Sequence, residues 1–284
     1  MEPMSFKKYL EAIEDYKGKK ILITGGTSGI GLEAAKILAT KNANIVLLAR
    51  NLSKAESTKQ ELLNINPNID IDIIKYDQSD YELIDSAFKE INEKHNDFYA
   101  LVANAGILYP SKDAKSKQGY PLTIETNYLG LRRFLNQIID TCHHKRIIIQ
   151  GSLAAGLFHK KKVDILSDKY SLFGQYNMSK ACDEALWYKY QNEAKDNTFV
   201  LVEPGIASTD IIRGLWSPIR IAGKIFVRIF SHNPRTASLT IIEGLKSDVN
   251  NGDYFVPKHM FTMMGYPKKK RFPKKRIKEY LLKY

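Results

Sequence analysis

The stretch from residue 24 to residue 32, TGGTSGIGL, places four glycines in nine positions directly after the apolar run KILIT at Lys20–Thr24. Glycine inside a regular element costs roughly 0.5–1 kcal/mol relative to alanine, so such a cluster marks backbone that must turn tightly or let something approach closely. The residues that follow, GLEAAKILATKNA from Gly31, have helical spacing, with Leu32, Ala35, Ile37 and Leu38 apolar. The loop therefore joins a buried strand to a helix start, where unpaired N–H groups and about half a positive charge favour a phosphate. Taken alone it fits a pyrophosphate cradle and a plain glycine-rich turn equally well.

The rest of the chain favours the cradle. Runs rich in Ile, Val and Leu recur at Lys20–Thr24, Asn44–Ala49, Ile69–Lys75, Phe98–Ala103, Lys145–Gln150 and Thr198–Glu203, with helical patterns such as DYELIDSAFKEINEKH and MSKACDEALWYKYQNEA between them. Such alternation predicts an α/β fold: a doubly wound parallel sheet with helices on both faces. Ligands of open parallel sheets bind beyond the carboxyl ends of the strands. Those positions hold the glycine loop, Arg50, Asp77, Asn104–Ala105–Gly106, Ser152 and PGIAST at Pro204–Thr209.

Bulk properties narrow the class. The 284 residues contain no low-complexity segment, no internal repeat and no apolar run long enough to span a bilayer. The N-terminal stretch is charged and amphipathic without the apolar core of a secretory signal, so a soluble, cytoplasmic protein is expected. Cys142 and Cys182 lack C-x-x-C spacing, and His143–His144 have no ligand-spaced partners, so neither a disulfide framework nor a metal is expected. The formal charge of +12 is concentrated: residues 268–284 carry nine basic side chains and one acid. The body is only mildly basic, and no nucleic-acid partner is expected from it.

With these residues in hand, the chain resembles the short-chain dehydrogenase/reductase family over roughly residues 18 to 257. The carriers are TGGTSGIG, NAG at Asn104, TNYLG around Asn127, Ser152, YNMSK at Tyr176–Lys180 and PGIAST at Pro204. The long interval from Ser152 to Tyr176 looks like the retinol-dehydrogenase and protochlorophyllide-reductase-like branch. The resemblance implies a single Rossmann-type domain and a nicotinamide dinucleotide held by Gly25, Thr27, Ser28, Gly29 and Ile30 of the glycine loop, by Asn104, Ala105 and Gly106, by Pro204, Gly205 and Thr209, and by Tyr176 and Lys180. It implies that Asp77 holds the adenine end and that Asn127 fixes a water through which Lys180 is reprotonated; bridging of backbone groups is the competing role for that asparagine. It also implies a small-molecule carbonyl or alcohol as substrate, and a homodimer or homotetramer fits it.

The catalytic chemistry can be read from the residues themselves. Tyr176 and Lys180 are four apart in a helical pattern and share a face. A phenol titrates near ~10, and a neighbouring ammonium draws it toward neutral pH, which suits a general acid. Ser152 can hydrogen-bond the same carbonyl. Arg50, ending NIVLLAR where an acid would select NAD, points to the 2′-phosphate of NADP(H), with Lys54 as a weaker helper. The competing reading is a catalytically silent NADP(H)-binding redox sensor. Such a protein would be expected to have lost Tyr176, Lys180 or Ser152, all of which survive.

Three regions complete the reading: an N-terminal amphipathic extension (1–17), a catalytic domain (18–257) with a substrate lid at 206–230, and a basic tail (258–284). The lid segment SPIRIAGKIFVRIF spaces Arg220, Lys224 and Arg228 four apart among apolar residues, which suits either a cover over an apolar or amphipathic substrate or a helix packed on the core. The tail suits contact with an anionic membrane surface or a disordered, solubilising extension. On either view a chain ending at Pro267 is expected to keep its turnover.

Overall fold

Apolar residues alternate along the strands between two faces, and this divides the core into two layers. The computed structural model describes residues 6–108, 111, 113–158, 164–167, 169–193, 196–205, 233–259, 264–277 and 280–281. The chain begins α1 (Phe6–Glu11), β1 (Lys20–Thr24), α2 (Gly29–Thr40), β2 (Asn44–Ala49), α3 (Leu52–Ile65), β3 (Ile71–Lys75), α4 (Tyr81–Lys94) and β4 (Ala100–Ala103). Next, α5 (Leu122–Ile124) passes through a π-helical stretch (Glu125–Leu129) into α6 (Gly130–Thr141), followed by β5 (Arg146–Gln150) and a 3₁₀ turn (Leu153–Leu157). The remainder comprises α7 (Leu172–Glu193), β6 (Thr198–Val202), α8 (Pro234–Ala237), α9 (Leu239–Leu245), β7 (Tyr254–His259) and β8 (Met264–Lys270).

The strands form one eight-stranded sheet in the order β3-β2-β1-β4-β5-β6-β7-β8, parallel except for the final β7–β8 pair. Leu22, Leu101 and Ile149 face a layer completed by Ile84 of α4, Phe134 of α6 and Trp187 of α7. Their neighbours Ile21, Ile23, Val102 and Ile148 face the opposite layer, with Leu38 of α2, Leu62 of α3 and Ile242 of α9. Each fully buried side chain of this size contributes about 1.5–3 kcal/mol. The fold is therefore the expected doubly wound sheet. The strand order reverses direction between β1 and β4, which opens the crevice where ligands bind.

The two terminal segments set apart in the sequence reading pack onto this sheet. Tyr9, Ile13 and Tyr16 are buried in the second layer. Tyr9 donates a hydrogen bond to Glu243 of α9 and stacks on Tyr266 of β8, with ring centroids 5.2 Å apart. The described part of the basic tail is likewise folded rather than a disordered extension: β8 runs antiparallel to β7, and Phe272 and Leu281 are buried in the first layer. The residues MGYPKKK look unlike a strand because β8 lies at the sheet's edge, where proline and lysine discourage further pairing.

Candidate active site

The glycine loop and the NAG loop are joined. The Thr24 hydroxyl accepts from the backbone N–H of Asn104 (3.1 Å) and of Ala105 (3.0 Å), and the Asn104 amide donates to the carbonyls of Thr24 (3.0 Å) and Gly25 (3.2 Å). Gly25 adopts φ +68°, and a Cβ there would meet the Asn104 amide at 2.9 Å. At Gly31 a Cβ would lie 2.4 Å from both the Gly25 carbonyl and Asn104, so α2 can approach β1 this closely only with glycine. Neither Thr24 nor Gly31 was among the expected cofactor residues, although both are visible in the quoted stretch.

The same geometry leaves an anion-binding helix end. Ser28 precedes α2 in an extended conformation with no side-chain capping bond, and the first turn of α2 carries no acid. Thr27, Ser28, Gly29 and Ile30 therefore surround backbone donors that no side chain of the loop caps, and the donor set fits a dinucleotide pyrophosphate. At the far end of the crevice Arg50 is exposed, its Nε 3.9 Å from Asp77, while Asp77 accepts from the Ser79 hydroxyl at 2.7 Å. Gly205 follows Pro204 beyond β6 at φ +75°. Thr209 and the lid at 206–230 lie outside the described residues.

Helix α7 carries Tyr176 and Lys180. Lys180 is buried, and its ammonium donates to the Gln150 carbonyl at the end of β5 (3.1 Å) and to Asp183 (2.9 Å). A Cβ on Gly106 would lie 3.7 Å from the Lys180 ammonium and 3.3 Å from the Asn127 oxygen, so these three residues converge. Asn127 sits in the π-helical stretch; its oxygen accepts from the Ile107 N–H (2.8 Å) and its nitrogen donates to the Ile107 carbonyl (2.9 Å) and the Ser179 hydroxyl (3.0 Å). These bonds bridge backbone and helix. Ser152 caps the 3₁₀ turn, its hydroxyl accepting from Ala154 N–H at 3.2 Å, which leaves its own proton available to a ligand.

The site is electrostatically loaded. Burial pulls the Lys180 ammonium down, but the charges of Asp183 and Tyr176 and the Asp183 hydrogen bond outweigh it and hold Lys180 above its ordinary range. Burial pushes the Asp183 carboxyl up to about 6, with Lys180 opposing. Behind it, Glu184 and Glu203 both face Arg276, and burial, opposed by Arg276 and reinforced by Glu203, pushes Glu184 up to about 9. Asp183, Glu184 and Arg276 were missed in the sequence, where a helix acid or a tail arginine looks like any surface charge.

These raised values fix the sign of a pH dependence. The folded protein keeps protons on Glu184 and Asp183 that the unfolded chain releases near 4.5 and 3.8. The unfolded state then binds fewer protons, so stability falls as pH rises, between about 4 and 6 for Asp183 and between about 4.5 and 9 for Glu184. Thermal midpoints measured from about pH 5 to pH 9 are expected to decline. Glu184→Gln should flatten the upper part of that decline, and an unchanged slope would contradict the assignment.

Among the described residues no group of three or more His, Cys, Asp or Glu could hold a metal, and no helix is long and apolar enough to cross a membrane. Residues 19–219 match the family described as short chain dehydrogenase. A chloroplastic short-chain dehydrogenase, TIC 32 B of Brassica napus, is 28% identical over 272 residues, covering 89% of this chain and 84% of its own. A human polyprenol dehydrogenase is 24% identical, covering 78% of this chain and 70% of its own. Among solved structures, an alcohol dehydrogenase from the archaeon Thermococcus sibiricus, complexed with 5-hydroxy-NADP, superposes with a TM-score of 0.62 at 23% identity, covering 82% of this chain and 93% of that one.

Proposed function

Because the chain belongs to the short-chain dehydrogenase family and is thereby an NAD(P)-dependent oxidoreductase, we propose that it moves a hydride between NADP(H) and a carbonyl or alcohol substrate, with Tyr176 as general acid and base. The observation that carries this reading is the convergence of Gly106, Asn127 and buried Lys180 beside the helix face that bears Tyr176. The bound nicotinamide would supply the hydride. Tyr176 gives its phenolic proton to the carbonyl oxygen in reduction and takes it back in oxidation. Lys180, held charged against Asp183 and the Gln150 carbonyl, puts a positive charge one helical turn from Tyr176 and offers N–H donors to the nicotinamide ribose. Ser152 donates a hydrogen bond from its hydroxyl to the same carbonyl oxygen and orients it. Asn127 holds the loop after β4 against α7 through Ile107 and Ser179; when Lys180 passes a proton back to the Tyr176 phenolate left by reduction, an adjoining water would return that proton to Lys180.

Arg50 favours NADP(H) over NAD(H). Its guanidinium is exposed at the end of β2, and the Lys75 ammonium donates to the Arg50 carbonyl at 2.6 Å; a second cation beside Arg50 would suit the negative charge of a 2′-phosphate. A charge-assisted bond of this kind is worth about 1.5–3 kcal/mol. Arg50→Ala is therefore expected to weaken NADPH binding by about ten- to a hundredfold with little change for NADH, read by fluorescence titration. Equal affinities of the wild-type protein for the two cofactors would refute the assignment. An apolar substrate is supported by exposed Leu157, Leu166 and Phe173, which lie between Ser152 and Tyr176 in the chain.

A further inference from the structure

Arg276 lies beyond β8, in the segment that looks like a basic tail, yet its side chain is only 15% exposed. Its guanidinium spans four elements. It donates to Glu203 at the end of β6 (2.6 Å), to both oxygens of Glu184 on α7 (Nε to Oε2, 3.2 Å), to the Tyr254 hydroxyl on β7 (3.3 Å) and to the backbone carbonyl of Ser152 (3.3 Å). It also packs against the turn after Ser152, where a Cβ on Gly156 would lie 3.8 Å from Nε. The side chains of Glu184 and Glu203 are 1% and 0% exposed.

Three of these anchors lie at groups used in the proposed chemistry. Ser152 is one of those groups. Glu184 stands one helical turn beyond Lys180 and two beyond Tyr176, and Glu203 immediately precedes Pro204 and Gly205. A buried ion cluster is a poor device for stability, because well-packed apolar residues of similar size serve as well or better. A planar guanidinium adds directed bonds to several partners at fixed angles. We propose that Arg276 is a positioning residue of the active site, holding Ser152 and the start of the loop after β6 in register with the Tyr176–Lys180 helix.

This rests on the reaction proposed above, so the test separates the two. The substitutions are R276K, which keeps the charge but not the fork, and the triple variant R276M/E184Q/E203Q, which leaves no unpaired buried charge. Hydrogen exchange is followed over residues 150–158 and, for comparison, 32–40, and NADPH-dependent reduction of a panel of hexanal, nonanal and benzaldehyde is measured alongside. Both variants are expected to bind NADPH, to lose exchange protection selectively over 150–158, and to lower kcat by at least about tenfold with KM nearly unchanged. If the triple variant fails to fold, R276K alone decides. Wild-type protection over 150–158 in a folded variant overturns the proposal whether or not any aldehyde is reduced. A full wild-type kcat would overturn it as well. Full turnover in Ser152→Ala would instead remove the role given to Ser152, while the exchange result still decides the role of Arg276.

Discussion

Tyr176→Phe is expected to lower turnover by at least about 100-fold, the low end of what a general acid contributes, while NADPH binding persists. Phenylalanine keeps the half-buried ring in place on α7 and removes only the hydroxyl, the group proposed to exchange a proton with the substrate oxygen. Lys180 cannot substitute for it. Its ammonium is buried and committed to Asp183 and the Gln150 carbonyl. Ser152 cannot either, since an aliphatic hydroxyl is far too weak an acid to supply a full proton at neutral pH. Single-turnover measurement with saturating NADPH would isolate the step. A variant that binds NADPH normally and reduces substrate at near wild-type rate would show that the proton comes from elsewhere.

The second large effect is a loss of the folded state, not of chemistry. A chain ended at Pro267 is expected from the sequence to keep its turnover; the structure reverses that expectation. Truncation removes Arg276 and leaves Glu184 and Glu203 buried beside each other without a cation. Breaking a buried pair in this way costs about 3–5 kcal/mol. It also removes Phe272, which packs edge-on against Tyr254 with ring centroids 5.2 Å apart, and buried Leu281, each worth about 2–5 kcal/mol. Domains of this kind have only about 5–15 kcal/mol in all. The truncated protein should therefore lack a cooperative thermal transition and any turnover, as circular dichroism and assay would show; a folded, active product would refute the packing described for the tail.

The parts that were legible in the sequence are those decided by local pattern. β1 and β2 coincide residue for residue with the apolar runs Lys20–Thr24 and Asn44–Ala49, because a strand buried on both faces needs nothing more than such a run. Tyr176 and Lys180 were legible through helix spacing, and the glycine loop through its density of glycine. The joining of Gly25 to Asn104 was not, since it depends on the parallel pairing of β1 with β4. β8 was hidden because an edge strand selects proline and lysine over the usual β-formers. Arg276 was hidden for a different reason: it is one of nine basic residues near the C-terminus, and what distinguishes it is a pair of acids far earlier in the chain.

The stacking of Tyr9 on Tyr266 and the burial of Arg276 against Glu184 bring together parts of the chain made at very different times during synthesis. A ribosome delivers residues in order, at roughly 5–20 per second. Glu184 and Glu203 thus emerge well before the arginine that pairs with them, and α1 waits for its aromatic partner until Tyr266 has been made. Until position 276 has cleared the exit tunnel, the nascent protein holds an incomplete sheet with the edge of β7 uncovered. Such an intermediate is prone to association and is a natural client for chaperones. Strand β8 and the segment that follows it act as the latch on the domain, so chains that stop before them would be removed by quality control rather than form a pool of partly active enzyme.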